Sequence, residues 1–268
     1  MIAAAYLNLS ADRVALAGGL ILINGLVSLL LQLRLESRLL WASLRMVVQL
    51  SLIGYLLQWV FETQSEPWVL VLMCCMTLIA GVSAIRRTNR RYSGIWLDGI
   101  LSVWVSSWLV TAYAAFVVVQ WDPWYAPRYA IPFLGMILGN TLNGISLGLD
   151  RLGSELTAQR DRIETMLALG ATRWEAARSS IREAIRTGMI PIINSMMVTG
   201  IVSLPGMMTG QLVAGMDPMP SVRYQIVIIF LIASCTALGT VGVVLLGYRR
   251  LFNREHQFLS SRLIRVSE

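Results

Sequence analysis

The chain contains no lysine; all 22 of its basic residues are arginine. A nucleotide-binding loop of the Walker A type needs its lysine on the phosphates, so that loop is excluded, and with it a lysine Schiff base. There is a single histidine, His256, which rules out histidine triads and multi-histidine metal sites. The three cysteines, Cys74, Cys75 and Cys235, lie inside apolar runs. They read as small buried hydrophobes, not as a disulfide frame or a zinc site. Charge of either sign is scarce: 14% of the 268 residues are charged and 56% are hydrophobic, whereas about a quarter of a soluble domain is charged. That composition excludes a disordered chain and argues against a soluble enzyme. No basic stretch precedes the first apolar run, so no cleaved signal peptide is expected.

What the chain has in quantity is apolar helix. Seven stretches are long enough to cross a hydrocarbon core, which takes about 20 helical residues: 14–33, 39–61, 68–85, 95–119, 129–149, 189–216 and 224–247. Barrel strands would alternate over about 10 residues. The sixth stretch is long and is interrupted by Pro205-Gly206. The expected fold is an all-α integral membrane protein of about seven transmembrane helices, with residues 1–268 forming one transmembrane domain. Arginine is dense in alternate connections, and excess arginine marks the cytoplasmic side. The N-terminus is therefore expected outside, with the segment 150–188 and the tail 248–268 in the cytoplasm. This bias accounts for the net charge of +7 and calls for no nucleic acid.

The segment 150–188 carries seven arginines and six acids. Leu152, Leu156, Ile163, Met166 and Leu167 recur at helical spacing. Gly170 is a natural helix stop, and Thr172 followed by Glu175 fits a capping box that opens a new helix. The spacing predicts a helix, a sharp turn at Gly170-Ala171 and a second helix, with Arg173 and Trp174 as anchors beside the turn. Two readings stand: docking into the groove of a partner protein, or lying on the bilayer surface.

Within the spans, polar residues are few. Arg45 sits seven residues into the second, and Asp98 is the only acid well inside any span. Buried charge is costly and faces the bundle interior, so the two read either as a structural pair or as a polar pathway lining. Asn140 and Asn143 share one face of the fifth span, and Asn194, Ser203, Thr209 and Gln211 add polar groups to the sixth. They suit interhelical hydrogen bonds or, as oxygen donors, passage of a partly hydrated metal cation. Met207 and Met208 belong to a methionine-rich stretch that reads as packing or as soft-metal contact. Pro205-Gly206 should break the helix and free carbonyls. Irregular backbone at membrane depth is tolerated where it lines a cavity, so 203–211 is the first choice for a gate. Gly144 to Gly148 spells a nucleophile elbow, but it lies within a span and has only His256 as a possible base. Together with Gly135 and Gly139, those glycines read as close helix packing, and Gly206 with Gly210 repeats the pattern.

The run Glu164-Thr165-Met166-Leu167-Ala168-Leu169-Gly170-Ala171 resembles the coupling segment of ABC-transporter permeases, in which a Glu precedes a Gly by six. Other motifs are Arg45-Met-Val-Val-Gln49-Leu50 with Gly54, and Gly135-Met-Ile-Leu-Gly139-Asn140. The longest runs from Gly188-Met189-Ile190-Pro191 through Asn194-Ser195-Met196-Met197 and Gly200-Ile-Val-Ser-Leu-Pro205-Gly206-Met207-Met208-Thr209-Gly210-Gln211 to Tyr224-Gln225-Ile226. Together, and over nearly the whole chain, these resemble the FetB-type family of ABC permeases, linked to bacterial iron efflux, with plant relatives linked to aluminium tolerance. The resemblance implies a multi-pass permease homodimer in the bacterial inner membrane. It would export a metal cation such as iron, driven by two copies of a separate cytoplasmic ATPase. ATP and magnesium would belong to that partner. This chain would hold no cofactor, no catalytic residue and no assigned metal ligand set. Glu164, Gly170, Ala171, Thr172, Arg173, Trp174 and Glu175 would couple to the ATPase. Asn140, Asn143, Asn194, Ser203, Pro205, Gly206, Met207, Met208, Thr209 and Gln211 would line the pathway or its gate. The alternative is a stand-alone secondary transporter or channel with no ATPase partner.

Overall fold

The computed structural model describes residues 10–253 and 255–265. It divides into two compact units. The first holds α1 (Ala11–Leu30) and α2 (Glu36–Thr63), together with residues 213–216. Residues 31–35 close these helices into a hairpin. Gln32 and Arg34 adopt left-handed backbone there. The Leu35 N–H donates to the Ser28 hydroxyl, which in turn donates to the Glu36 carboxylate, both at 2.9 Å. Leu16, Leu20, Trp41, Leu52 and Tyr55 of this unit are exposed. An exposed apolar surface of this kind suits lipid, not water.

The second unit contains α3 (Glu66–Arg86), α4 (Ile95–Tyr113), α5 (Pro127–Ala158), α6 (Arg160–Ala168), α7 (Arg173–Val198), α8 (Gly206–Val213, up to Leu212) and α9 (Pro218–Leu251). A π-helical turn, Ala114–Val118, extends α4. Six helices are long and apolar enough to span a membrane: Asp12–Leu30, Glu36–Thr63, Glu66–Arg86, Ile95–Val118, Pro127–Ala158 and Pro218–Leu251. Several run beyond the apolar stretches that announced them, because charge ends a hydropathic run without ending helix propensity.

The stretch 189–216 is not one helix. α7 begins far upstream, among arginines, and carries the apolar residues up to Val198 as its second half. Residues 199–205 are irregular, with Gly200 at φ +85°, and α8 follows. The break lies ahead of Pro205-Gly206. A proline disfavours helix at the residue before it but suits a helix start. Accordingly, the Pro205 carbonyl accepts the Thr209 N–H at 3.0 Å, at the start of α8.

The core of the second unit lies where α5 meets α7 and α9. Ile137, Ile145, Leu149, Leu152 and Leu156 of α5 are buried, as are Ile181 and Ala184 of α7 and Val243 and Val244 of α9. Glycine makes the close approach possible. A Cβ on Gly188 would fall 2.6 Å from the Gly144 carbonyl oxygen and 2.6 Å from Thr240 Cγ2. One on Gly148 would meet Thr240 Cγ2 at 2.9 Å and the Ala184 carbonyl oxygen at 3.6 Å. α7 is thus antiparallel to α5. Gly206, Gly210 and Gly139 have no such neighbour, so the close approach of α5, α7 and α9 rests on Gly144, Gly148, Gly188 and Gly239.

One end of the unit gathers three connections. β1 (Arg90–Arg91), between α3 and α4, pairs antiparallel with β2 (Ile264–Arg265) of the tail, with Arg90 opposite Arg265 and Arg91 opposite Ile264. The Asn89 N–H donates to the Asp150 carboxylate at the far end of α5. The tail also meets the start of α7. At the opposite end, Trp121 stacks on Tyr129 at 5.9 Å and packs on Phe133 at 5.1 Å. α7 runs from the first end toward the second, since Ile192 shares a buried cluster with Trp121, Phe133 and Ile228.

Candidate functional site

The turn between α6 and α7 is built by its own sequence. Gly170 has φ +90°, a left-handed conformation that a side chain would strain. The Gly170 N–H donates to the Leu167 carbonyl at 3.1 Å and the Ala171 N–H to the Met166 carbonyl at 3.0 Å. These two bonds are the Schellman closure of α6. α7 then opens on a capping box. The Glu175 N–H donates to the Thr172 hydroxyl, and the Thr172 N–H donates to the Glu175 carboxylate at 2.8 Å. The Thr172 hydroxyl also bonds that carboxylate, at 2.7 Å, and with the backbone bond holds the Glu175 carboxyl below its ordinary range. Leu169, at the tip of the turn, is 83% exposed. Trp174 is 45% exposed and sits edge-on to Tyr248 of α9, with ring centroids 5.7 Å apart. Glu164 faces the other way along α6 and pairs with Arg160 at 2.7 Å.

The tail braces this turn. The Arg173 N–H, one of the amides a helix start leaves unpaired, donates to His256 Nδ1 at 2.9 Å. Only an unprotonated Nδ1 can accept it. The Arg173 guanidinium donates to the Asn253 carbonyl at 3.0 Å and lies 6.0 Å from the Tyr248 ring centre. Tyr248, Phe252 and Phe258 form a row of contacting rings. Sequence reasoning left His256 and the tail without a role. Nothing in one dimension links position 256 to position 173.

Asp98, 3% exposed, accepts from Arg250 at 3.2 Å and from the Tyr92 hydroxyl at 3.1 Å. Burial first, then the Asp98 carboxylate, pushes the Tyr92 phenol well above its ordinary range. Sequence reasoning read Asp98 and Arg45 either as a structural pair or as a polar lining of the pathway. The structure supplies Arg250 and Tyr92, because α9 ends where α4 begins, while Arg45 stands exposed on α2 in the first unit.

The polar residues chosen for a pathway fall in two groups. Asn140 and Asn143 are exposed on α5. Asn143 accepts from Arg87 Nη1 at 2.6 Å, and the Asn140 amide donates to the Met136 carbonyl at 2.9 Å. Asn194, at the end of α7, is exposed, as are Ser203, Gly206 and Thr209 in and after the break. Pro205, Met207, Met208 and Gln211 are half-buried, and Met207 packs on the cluster around Trp121 and Ile192. Among the described residues, the Gln211 Oε1 is buried without a hydrogen-bond partner. The structure brings Arg87 to Asn143, which the sequence did not suggest. Among the described residues, no cluster of three His, Cys, Asp or Glu could hold a metal ion.

Comparison with known proteins agrees with the helical, lipid-facing architecture. The chain is 44% identical over 228 residues, 85% of its length and 88% of the other's, to the UPF0014 membrane protein slr1647 of Synechocystis. It is 30% identical over 256 residues, 96% and 97% of the two chains, to the protein named probable iron export permease protein FetB of Escherichia coli. It is 28% identical over 226 residues, 84% and 81% of the two chains, to Protein ALUMINUM SENSITIVE 3 of Arabidopsis thaliana. No solved structure gives a significant match. The family described as "Uncharacterised protein family (UPF0014)" matches residues 11–252, and the chain is a multi-pass membrane protein belonging to that family.

Proposed function

We propose that the chain is the membrane-spanning half of an ATP-driven exporter, coupled to a separate cytoplasmic ATPase through the turn at Leu169–Thr172. The observation that carries this reading is the turn itself. It is rigid, closed by a Schellman motif on one side and a capping box on the other, yet it presents Leu169 and Trp174 to water. A bulky apolar anchor on a stiff polar support is what a partner groove recognises. The turn stands at the end of the second unit where arginines gather, while Arg128 and Arg223 lie at the other end. By the positive-inside rule this end is cytoplasmic, and with α7 counted as a crossing the chain spans seven times, N-terminus outside. The chain has no lysine for a Walker A loop, so ATP and magnesium belong to the partner.

The chain acts as a homodimer in a bacterial inner membrane. Closure of the ATPase pair moves the turn, and α7, unbroken from Arg173 to Val198, carries that motion to residues 199–211. Asn140, Asn143 and the break form the pathway and its gate. The name of the E. coli relative points to iron as cargo.

The test is co-purification with a candidate ABC-type ATPase of the same organism, with hydrolysis measured in reconstituted vesicles. Leu169→Ser removes an anchor that packs on nothing, so it should weaken ATPase binding and leave thermal stability unchanged. Trp174→Ala should weaken binding too, with some loss of stability through Tyr248. Normal binding and native transport by both variants would show that the turn is not the coupling element; transport with no ATPase present would support a stand-alone transporter.

A further inference from the structure

A groove runs between α4 and α9 on the outside of the second unit. Leu101, Val105 and Leu109 form one wall and Leu238, Leu245 and Leu246 the other, above a floor of Ser102, Ser106 and Gly242. The floor is low because these three residues are small. Its hydroxyls are bonded within their own helix: Ser102 donates to the Asp98 carbonyl at 2.7 Å and Ser106 to the Ser102 carbonyl at 2.6 Å. The groove therefore presents hydrocarbon along its length and suits an apolar occupant. It holds about 380 Å³, within the roughly 300–1,000 Å³ of ligand pockets, so it has room for an alkyl chain. Arg249 stands at its arginine-rich end. Leu238 and Arg249 are eleven residues apart, roughly 16 Å of helix and about half of a ~30 Å hydrocarbon core. The groove is thus one leaflet long. A second groove continues from Leu109 and Leu238 toward Tyr113 and Phe230, and no charged residue lines it.

Arg249 is exposed and has no ion pair or hydrogen bond among the described residues. The acid at this end of α4, Asp98, is buried and already accepts from Arg250 and Tyr92, so it leaves Arg249 unneutralised. α4 also begins at this end, and the first amides of a helix favour negative charge. An unpaired guanidinium at the mouth of an apolar groove one leaflet long matches an anionic phospholipid. The phosphate accepts from the guanidinium fork while one acyl chain lies in the groove. A second copy of the chain is a poor occupant. Rotation about the membrane normal keeps every residue at its own depth. That copy would set Arg249 level with Arg249, and the groove lining contains no acid to offset the pair.

We propose that the α4–α9 groove is a binding site for one anionic phospholipid, with its phosphate on Arg249 and an acyl chain along Leu245, Leu238 and Leu109. Such a site requires only that α4 and α9 span the membrane, with or without an ATPase partner. Native mass spectrometry of the detergent-purified protein, titrated with phosphatidylglycerol or with phosphatidylcholine of the same acyl chains, counts the lipid retained. One phosphatidylglycerol per chain should be held about tenfold more tightly than phosphatidylcholine. Arg249→Gln should remove that preference, and Arg249→Lys, which keeps the charge without the fork, should retain part of it. Arg223→Gln removes a charge at the other end and should leave the preference unchanged. A Cβ on Gly242 would meet nothing nearer than Ser102 Oγ at 3.6 Å, so Gly242→Leu should fold, fill the groove and weaken both lipids. If that variant does not fold, the arginine variants decide alone. Equal affinity for the two lipids in the parent, or a preference that survives Arg249→Gln, overturns the proposal. So does a disulfide-linked dimer that forms in native membranes with Val105→Cys and not with the parent, because a second copy would then occupy the groove.

Discussion

Gly188 offers the sharpest test of how the second unit is packed. Replacing a helical glycine by alanine normally stabilises a helix by about 0.5–1 kcal/mol, because glycine loses more backbone freedom on folding. At Gly188 the new methyl would lie 2.6 Å from the Gly144 carbonyl oxygen and 2.6 Å from Thr240 Cγ2. A threonine methyl can rotate away, but a backbone oxygen cannot. α7 and α5 must then separate by several tenths of an ångström along their closest approach. Overpacking of that kind costs about 1–3 kcal/mol, which exceeds the helix gain, so the net change should be a loss of about 1–2 kcal/mol. Gly54 on α2 is the control, since no atom lies within 4 Å of the Cβ it would gain. Thermal melting of the detergent-solubilised protein should show Gly188→Ala falling and Gly54→Ala rising by a smaller amount. Equal gains at both positions would refute the claim that a backbone contact, not helix propensity, governs Gly188.

Three further outcomes are expected. Asp98→Asn and Arg250→Gln should be non-additive in a double-mutant cycle, with a coupling of about 1–2 kcal/mol, below the 3–5 of a fully buried pair, because the Arg250 side chain is 44% exposed; additive losses in melting would count against the pair. Thr172→Ala should destabilise the start of α7 by about 1 kcal/mol. The Glu175 carboxyl is held low in the folded state, so its part of the cap is present above the unfolded carboxyl pKa and is lost as pH falls through the folded one. Amide exchange at residues 173–176 should therefore quicken at acid pH in the parent and change less in the alanine variant. A reporter active only outside the cytoplasm should work when fused after Glu66 and fail after Arg91 or at the C-terminus; a working C-terminal fusion would remove the seven-crossing topology.

Long apolar runs made the helical membrane architecture legible. Six of them coincide with helices of sufficient length, and in α2, α3, α5 and α9 the helix extends past the run at both ends. The sixth run misled because hydropathy responds to side chains and not to helix continuity. The first half of α7 bears Arg173, Arg178, Arg182 and Arg186, so a hydropathic reading cuts one helix in two. Local signals were readable where the causing residues are close in sequence, as with Thr172 and Glu175 or Gly170. Contacts across long separations left no trace in one dimension. Arg250 looked like an ordinary end-of-span arginine until the fold placed it on Asp98, and Arg87 like one of four loop arginines until its guanidinium met Asn143.

The tail that closes over the turn limits where the molecule can bend. Its strand pairs with the α3–α4 connection, His256 and Asn253 hold the first residue of α7, and Arg250 ties α9 to α4. Three connections at one end are stitched into a single plate, so a push on the turn cannot be absorbed there as local bending. Pro191 removes one rung of the α7 ladder but leaves the helix continuous, so the push is carried on to residues 199–205 around Gly200, where the helix ends. On the proposed coupling, the hinge lies at the far end of a stiff rod, and the tail is what keeps the near end from giving way.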